Sequence, residues 1–246
     1  MFDKAVHDEF LRHAVSIYPH EACGLIVDNG SAYVPFKNVH ATPRLQFRMN
    51  MPEFMEYYAA GRVCALMHSH TMQYPVANKF PSYTDMVAQA QMQIPWGIAH
   101  IGEHGELDGP FYFGDQVPIA PYVGRQFRPS VHDCYTLLRD YYRQEKGVTL
   151  PHFPREGRWW EGKKNILQEN FIKAGFKQID RPMLRPDDVL LANINSPRHN
   201  NVLNHIMIVQ PKGQVLHHLG DRLSRNDPIN VWLGAATVCL RYVGGQ

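Results

Sequence analysis

The chain has 246 residues, 44% of them apolar and 20% charged, with a formal net charge of +2. That balance excludes a disordered chain, and the lack of any apolar run near the ~20 residues of a membrane span excludes a spanning protein. The charge is unevenly spread: residues 1–118 carry 7 Lys and Arg against 12 Asp and Glu, and residues 119–246 carry 18 against 11. Such a contrast points to two units with different partners.

The opening stretch MFDKAVHDEFLRHAVSIYP mixes charges throughout and reads as an amphipathic helix, not a signal peptide, which implies synthesis in a cytoplasm without Sec export. Strands are expected at ACGLIV and AYVPF, then a helix at PEFMEYYAAG with Pro52 in its first turn. A strand (RVCALMH), a loop, a helix (SYTDMVAQAQMQ) and a strand (WGIAHI) follow. The Gly- and Pro-rich segment GPFYFGDQVPIAPYVG, residues 109–124, lies where the charge balance flips. It puts a domain boundary near residue 117, dividing the chain into 1–116 and 117–246.

The second half opens with a helix, CYTLLRDYYRQEKG, closed by Gly147 as a C-cap. Another helix is expected around 162–174, ending at Gly175. Strands then follow at DVLLANI, HIMIVQ, QVLHHL and ATVCLRYV, with a turn at PKG. The fold class is α+β in two domains, the first reading as an α/β pattern and the second as helices followed by antiparallel strands.

Four cysteines without a CxxC pair exclude a disulfide framework and a thiolate zinc site. Cys23, Cys64 and Cys239 sit in apolar runs and read as small buried hydrophobes. Cys134 stands apart.

In RVCALMHSH an apolar strand ends in two histidines one residue apart. Alternation places His68 and His70 on one face, a chelating geometry if a third group completes it. Asp85, on the first turn of the next helix, can supply that group, although Ser82-x-x-Asp85 also reads as a helix capping box. A zinc site of this kind also needs a general base beside the metal-bound water. Glu21, at the mouth of the HEACGLIV strand, can be that base or an ordinary solvated residue.

Together, HEACGLIV, MHSH and PSYTD resemble the JAMM (MPN+, Mov34-type) metallopeptidase domain over residues 1–115. The resemblance implies a zinc ion held by His68, His70 and Asp85, with Glu21 as acid/base and Ser82 holding the developing oxyanion. It also implies hydrolysis of isopeptide or peptide bonds, often in ubiquitin-like conjugates. Eleven residues separate His70 from Ser82, more than the family pattern usually has, and the longer loop can act as a lid.

Cys134 opens the second half's first helix behind Asp133, a natural N-cap. The positive end of a helix lowers a thiol's pKa and favours the thiolate. A cysteine nucleophile needs a histidine, and NHIMIVQPKGQVLHHL offers His205 on one strand of a hairpin with His217 and His218 on the other. Which of the latter shares a face with His205 depends on the turn register.

DCYTLLRDYY, NHIMIV and VLHHL are similar to the NlpC/P60 (papain-like) cysteine peptidases over residues 120–246. That resemblance implies Cys134 as nucleophile, His205 as its base and His217 as the orienting polar residue, with His218 in reserve. PYVGRQ resembles the family's tyrosine-bearing segment, implying that Tyr122 supports the oxyanion.

A JAMM-like segment followed by an NlpC/P60-like one in about 250 residues resembles the tail assembly proteins of lambda-like bacteriophages. This implies peptidoglycan peptides and other phage tail-tip proteins as partners, and a location in the host cytoplasm during assembly or at the tail tip. The basic second half suits an acidic wall polymer, whereas no clustered basic–aromatic stripe marks a nucleic-acid partner. A structural assembly factor with unused sites is the competing reading. A cellular deubiquitinase-like enzyme accounts for the first half alone.

Overall fold

Val6, Phe10 and Ala14 recur four residues apart in α1 (Lys4–Ser16) and are all buried. One stripe of the helix therefore faces a sheet. The computed structural model describes residues 1–71, 79–162, 164–194 and 202–244. The chain divides into two units, Met1–Pro118 and Ile119–Gln246.

The sheet of the first unit contains β1 (Cys23–Val27), β2 (Ala32–Phe36), β3 (Val63–Thr71), β4 (Trp96–Ile101) and β5 (Leu107–Phe113), in the order β2-β1-β3-β4-β5. Only β3 and β4 run parallel. A parallel pair needs a crossover, which α3 (Tyr83–Met92) supplies. A further helix, α2 (Met51–Ala59), starts at the Asn50 cap with Pro52 in its first turn.

The buried stripe of α1 packs on Ile26, Ala65, Met67, Ala99 and Ile101. Because neighbouring strand residues point to opposite faces, Leu66, His68 and His70 turn away from α1. The carboxyl end of a parallel strand is thereby left carrying two histidines on the face that α1 does not cover.

Residues 107–113 differ from the linker expected from Gly109 and Pro110. They form edge strand β5, with Phe111 and Phe113 buried in alternation. Proline is tolerated on an edge because the amide it lacks has no neighbouring strand to serve. Residues 72–78, within the loop read as a lid, lie outside the described residues.

The second unit's sheet is antiparallel throughout, in the order β10-β9-β8-β7-β11-β6. Its strands are β6 (Phe176–Ile179), β7 (Val189–Ala192), β8 (His205–Gln210), β9 (Gln214–His217), β10 (Arg225–Pro228) and β11 (Ala236–Tyr242). The long helix α4 (Cys134–Lys146) buries Leu137, Leu138, Tyr141 and Tyr142 against a core that includes Ile206, Ile208 and Leu216. Gly147, at φ 65°, ends it in the left-handed conformation that glycine adopts without steric cost. Met207, Val209 and Val215 face the other way, where Ile229, Trp232 and Leu233 pack on them.

Three details depart from expectation. The second helix, α5, is only Ile166–Asn170, followed by turns to Gly175 (φ 85°), and residue 163 of the expected span lies outside the described residues. Strands β6 and β10 were not anticipated, because FKQI and RNDP lack the apolar alternation that marks a strand.

Candidate active site and candidate metal centre

Two clusters stand out, one in each unit. In the first, Nε2 of His68 lies 3.1 Å from Nε2 of His70. These nitrogens lie 3.5 Å from Oδ1 and 3.3 Å from Oδ2 of Asp85, respectively. All three residues are buried. The separations are close to the ~3.3 Å edge of a tetrahedron of donors ~2.0–2.1 Å from a zinc ion.

The Ser82 capping box is present as well. Ser82 N and Oγ each donate to Oδ2 of Asp85 at 2.8 Å, and Asp85 N donates back to Oγ at 3.1 Å. Cap and donor set are thus one arrangement, because the bonds that start the helix also aim the carboxylate. In this arrangement the one hydroxyl proton of Ser82 is engaged by Asp85. Nδ1 of His68 is buried without a partner among the described residues, so within them this histidine lacks the outer bond that usually orients a metal-bound imidazole.

Glu21 is buried in the same region. Loss of water raises its carboxyl to about 7, against the opposing pull of His70 and with a smaller push from Asp85. A group near 7 can both take and return a proton at neutral pH.

In the second unit the hairpin register places Met207 directly opposite His217. His205, two residues before Met207, shares that face, and His218 does not. Nε2 of His205 lies 3.0 Å from Nδ1 of His217. Nε2 of His217 lies 3.0 Å from Oδ2 of Asp227, which also accepts from Arg225 Nη2 at 2.9 Å and Trp232 Nε1 at 3.3 Å. The Trp232 ring packs against both imidazoles, with centroids 4.8 Å from His217 and 6.1 Å from His205. His218 instead packs edge-on to Phe127 and bonds the carbonyl of Arg222 through Nε2.

Asp227, Arg225 and Trp232 were absent from the sequence reading. The first two lie on β10, the polar edge strand that carries no apolar signal.

Burial lowers His205 to about 3, with His217 and His218 adding to the effect, so the imidazole is neutral. Burial opposes ionisation of Asp227 as well, but hydrogen bonds from Arg225 and His217 hold its carboxyl below the usual range.

Cys134 begins α4 and packs against the core that Ile206 lines. Asp133 caps the helix by accepting from Tyr135 N and Thr136 N, and Arg155 pairs with it from the core. The thiol senses the backbone N–H of Ile206, the residue after His205. No hydrogen bond joins it to His205 among the described residues.

The expected lowering of the thiol's pKa does not hold. Burial, reinforced by the Asp133 charge, pushes it up to about 12, outweighing Arg155 and the nearby amides. Tyr122 also departs from its expected role. Its hydroxyl donates to Glu145 at 3.0 Å, eleven residues along α4 from Cys134, or about 16 Å at the rise of a helix. It buttresses the far end of α4 and is not part of the cluster.

A cysteine at a helix start, beside a strand that carries a histidine bonded to a second polar side chain, is the arrangement of a papain-like site. The NlpC/P60 family model matches residues 120–241, so the second unit carries an NlpC/P60 domain. Tail tip assembly protein K of Escherichia phage lambda is 31% identical over 179 residues, 73% of this chain and 81% of that protein. The protein of the same name from Escherichia phage N15 is 28% identical over 240 residues, 96% of this chain and 93% of its own. The chain belongs to the tail tip assembly protein K family. Among solved structures, an NlpC/P60 family protein from Bacillus cereus ATCC 10987 aligns over 99% of this chain and 68% of its own, with 10% identity and a TM-score of 0.36.

Proposed function

We propose that the second unit is a cysteine peptidase that hydrolyses peptide bonds of peptidoglycan, carried by a protein that works with other tail-tip components. The observation behind this reading is the hydrogen-bonded series His205–His217–Asp227, with the Cys134 thiol near the amide of Ile206, the residue after His205. In the reaction, sulfur attacks the amide carbonyl as the thiol proton passes to His205. His205 then gives that proton to the departing amine, and water releases the acyl group from sulfur. The Asp133 side chain occupies the amides of Tyr135 and Thr136. The amide of Cys134 itself is left as the first-turn donor available to the oxyanion.

The first unit, in the same reading, is a zinc-dependent (iso)peptidase with His68, His70 and Asp85 as ligands. A zinc ion held there would supply Lewis-acid activation of water and carbonyl. Glu21 is the proton carrier beside it, and Ser82 fixes the carboxylate of Asp85. The protein would be found in the host cytoplasm during assembly and at the tail tip. None of the helices among the described residues is long and apolar enough to cross a membrane.

One observation favours a second reading, a structural tail-assembly factor. The thiol is held neutral by burial and makes no bond to His205, as in a scaffold that does not turn over.

Incubating the protein with isolated sacculi and identifying the released fragments by mass spectrometry separates the two readings. Muropeptides released by wild type and His70→Ala but not by Cys134→Ala are expected. No release by any form, with the protein folded and its thiol reduced, moves the scaffold reading ahead.

A further inference from the structure

The directions of the hydrogen bonds in the His205–His217–Asp227 series follow from its last member. An ionised carboxylate only accepts. Oδ2 of Asp227 receives Nη2 of Arg225 and Nε1 of Trp232, both obligatory donors. Nε2 of His217, 3.0 Å from the same oxygen, must therefore donate. A neutral imidazole with its proton on Nε2 has a bare Nδ1. The nitrogen 3.0 Å from that Nδ1 is Nε2 of His205, which must donate in turn. His205 is left with Nδ1 unprotonated, and that nitrogen has no hydrogen-bond partner among the described residues.

Without Asp227 the order is not determined. His217 can meet His205 with Nδ1 either bare or protonated, and in the second case Nδ1 of His205 carries a proton and cannot accept one from a thiol. His217 alone does not provide a directed base.

We propose that Asp227 is a positioning residue that sets the tautomers of His217 and then His205, leaving Nδ1 of His205 as the base for Cys134. The inference rests on the peptidase reading of this unit. Its geometry is built into the sheet, since β10 pairs with β9 so that Arg225 lies opposite His217 and Asp227 opposite Val215. Trp232 contributes twice, donating to Asp227 and packing its ring against both imidazoles.

The test uses the full chain with ¹⁵N-labelled histidine and long-range proton–nitrogen correlation at neutral pH. His205→Gln and His217→Gln serve for assignment. The wild type is expected to show His205 and His217 both protonated at Nε2 and bare at Nδ1. In Asp227→Asn, the Arg225 and Trp232 donors hold the amide oxygen where Oδ2 was, so the tautomers persist and muropeptide release stays within about threefold of wild type. Asp227→Ala removes the acceptor. Its histidines are expected to show mixed tautomers, with release falling about tenfold.

A wild-type His205 protonated at Nδ1 overturns the proposal. So do unchanged tautomers in Asp227→Ala, or an Asp227→Asn variant as impaired as the alanine. The tautomers are read without turnover. An inactive wild type therefore counts against the peptidase reading alone, while the nitrogen spectra still decide the role of Asp227.

Discussion

Arg155 holds Asp133 with two side-by-side bonds, Nη2 to Oδ1 at 2.7 Å and Nε to Oδ2 at 2.8 Å, one residue before the thiol. The same carboxylate caps α4, and its Oδ2 accepts from Ser130 N at 3.0 Å. The guanidinium is buried, 4.9 Å above the Tyr135 ring, and donates to the carbonyl of Phe153. One ion pair thus ties the start of α4 to the segment around residue 155. Burial alone would raise the Asp133 carboxyl, but Arg155 and the cap bonds bring it down to about 2.

Removing the cation leaves a charge in the interior with nothing to offset it. Arg155→Met is expected to destabilise the second unit by about 3–5 kcal/mol. Asp133→Asn combined with Arg155→Met should recover part of the loss, since Asn still caps a helix. Urea unfolding in a Trp96→Phe background, where the remaining tryptophans (159, 160 and 232) all belong to the second unit, measures both. A loss below about 1 kcal/mol in the single variant would mean that solvent reaches the carboxylate.

Buried histidines near the site give the second unit a pH dependence of definite sign. Burial lowers His205 to about 3 and His218 to about 4. Below about 6.5 the unfolded chain binds protons that these folded imidazoles refuse, so stability is complete above that pH and falls on acidification toward 4. Asp133 acts at lower pH. Its folded pKa lies below the unfolded value, so its contribution persists above about 4 and is lost as pH falls toward 2. Each fully coupled histidine contributes a slope of up to about 1.4 kcal/mol per pH unit. The urea midpoint at pH 5 should therefore lie below that at pH 7, and His218→Phe should reduce the difference. Equal midpoints would contradict neutral burial.

How much of this could be read in the sequence differs between strands. β3 and β8 are apolar runs, so the polar residues at their ends, His68, His70 and His205, stand out against the pattern. Asp85 and Asp133 each follow capping spacings, and the structure places both carboxylates in caps. The choice between His217 and His218 needed the hairpin register, which periodicity does not contain. Asp227 was hidden because β10 is an edge strand of four residues, RNDP, whose position is dictated by β9 and not by its own composition. β5 was obscured in the same way by Gly109 and Pro110. The thiol's environment was misjudged because a helix terminus is a local feature of sequence, whereas the burial that outweighs it comes from distant parts of the chain.

The first unit's cluster makes its own prediction. The full chain should bind one zinc ion, measured by titration and by metal content after dialysis, and His70→Ala or Asp85→Ala should abolish that binding. Ser82→Ala separates the cap from the ligand set. It loses the hydroxyl that caps α3, about 1 kcal/mol of stability, while Oδ1 of Asp85 stays free of the cap bonds, so zinc is retained with reduced affinity. Bound zinc at 1,000 times its Kd should stabilise the unit by about 4 kcal/mol. Zinc binding that survives both ligand substitutions would dismiss the site.

Cys134 offers the last prediction, because the two mechanisms for a cysteine peptidase differ in where the resting proton lies. A thiolate–imidazolium pair reacts with iodoacetamide at a rate that levels off below neutral pH, since the thiolate is already formed. Here burial holds both partners neutral, with the thiol pushed up to about 12 and His205 lowered to about 3. Alkylation of Cys134, followed by mass spectrometry of its peptide, should therefore be slow at pH 7 and keep rising beyond pH 9 without a neutral plateau. The proton would then leave the thiol only as the substrate carbonyl is attacked, with His205 acting as a general base. That requirement is what makes the unprotonated Nδ1, and the Asp227 carboxylate behind it, matter. A plateau reached below pH 7 would place a preformed ion pair in the site and remove the need for a directed tautomer.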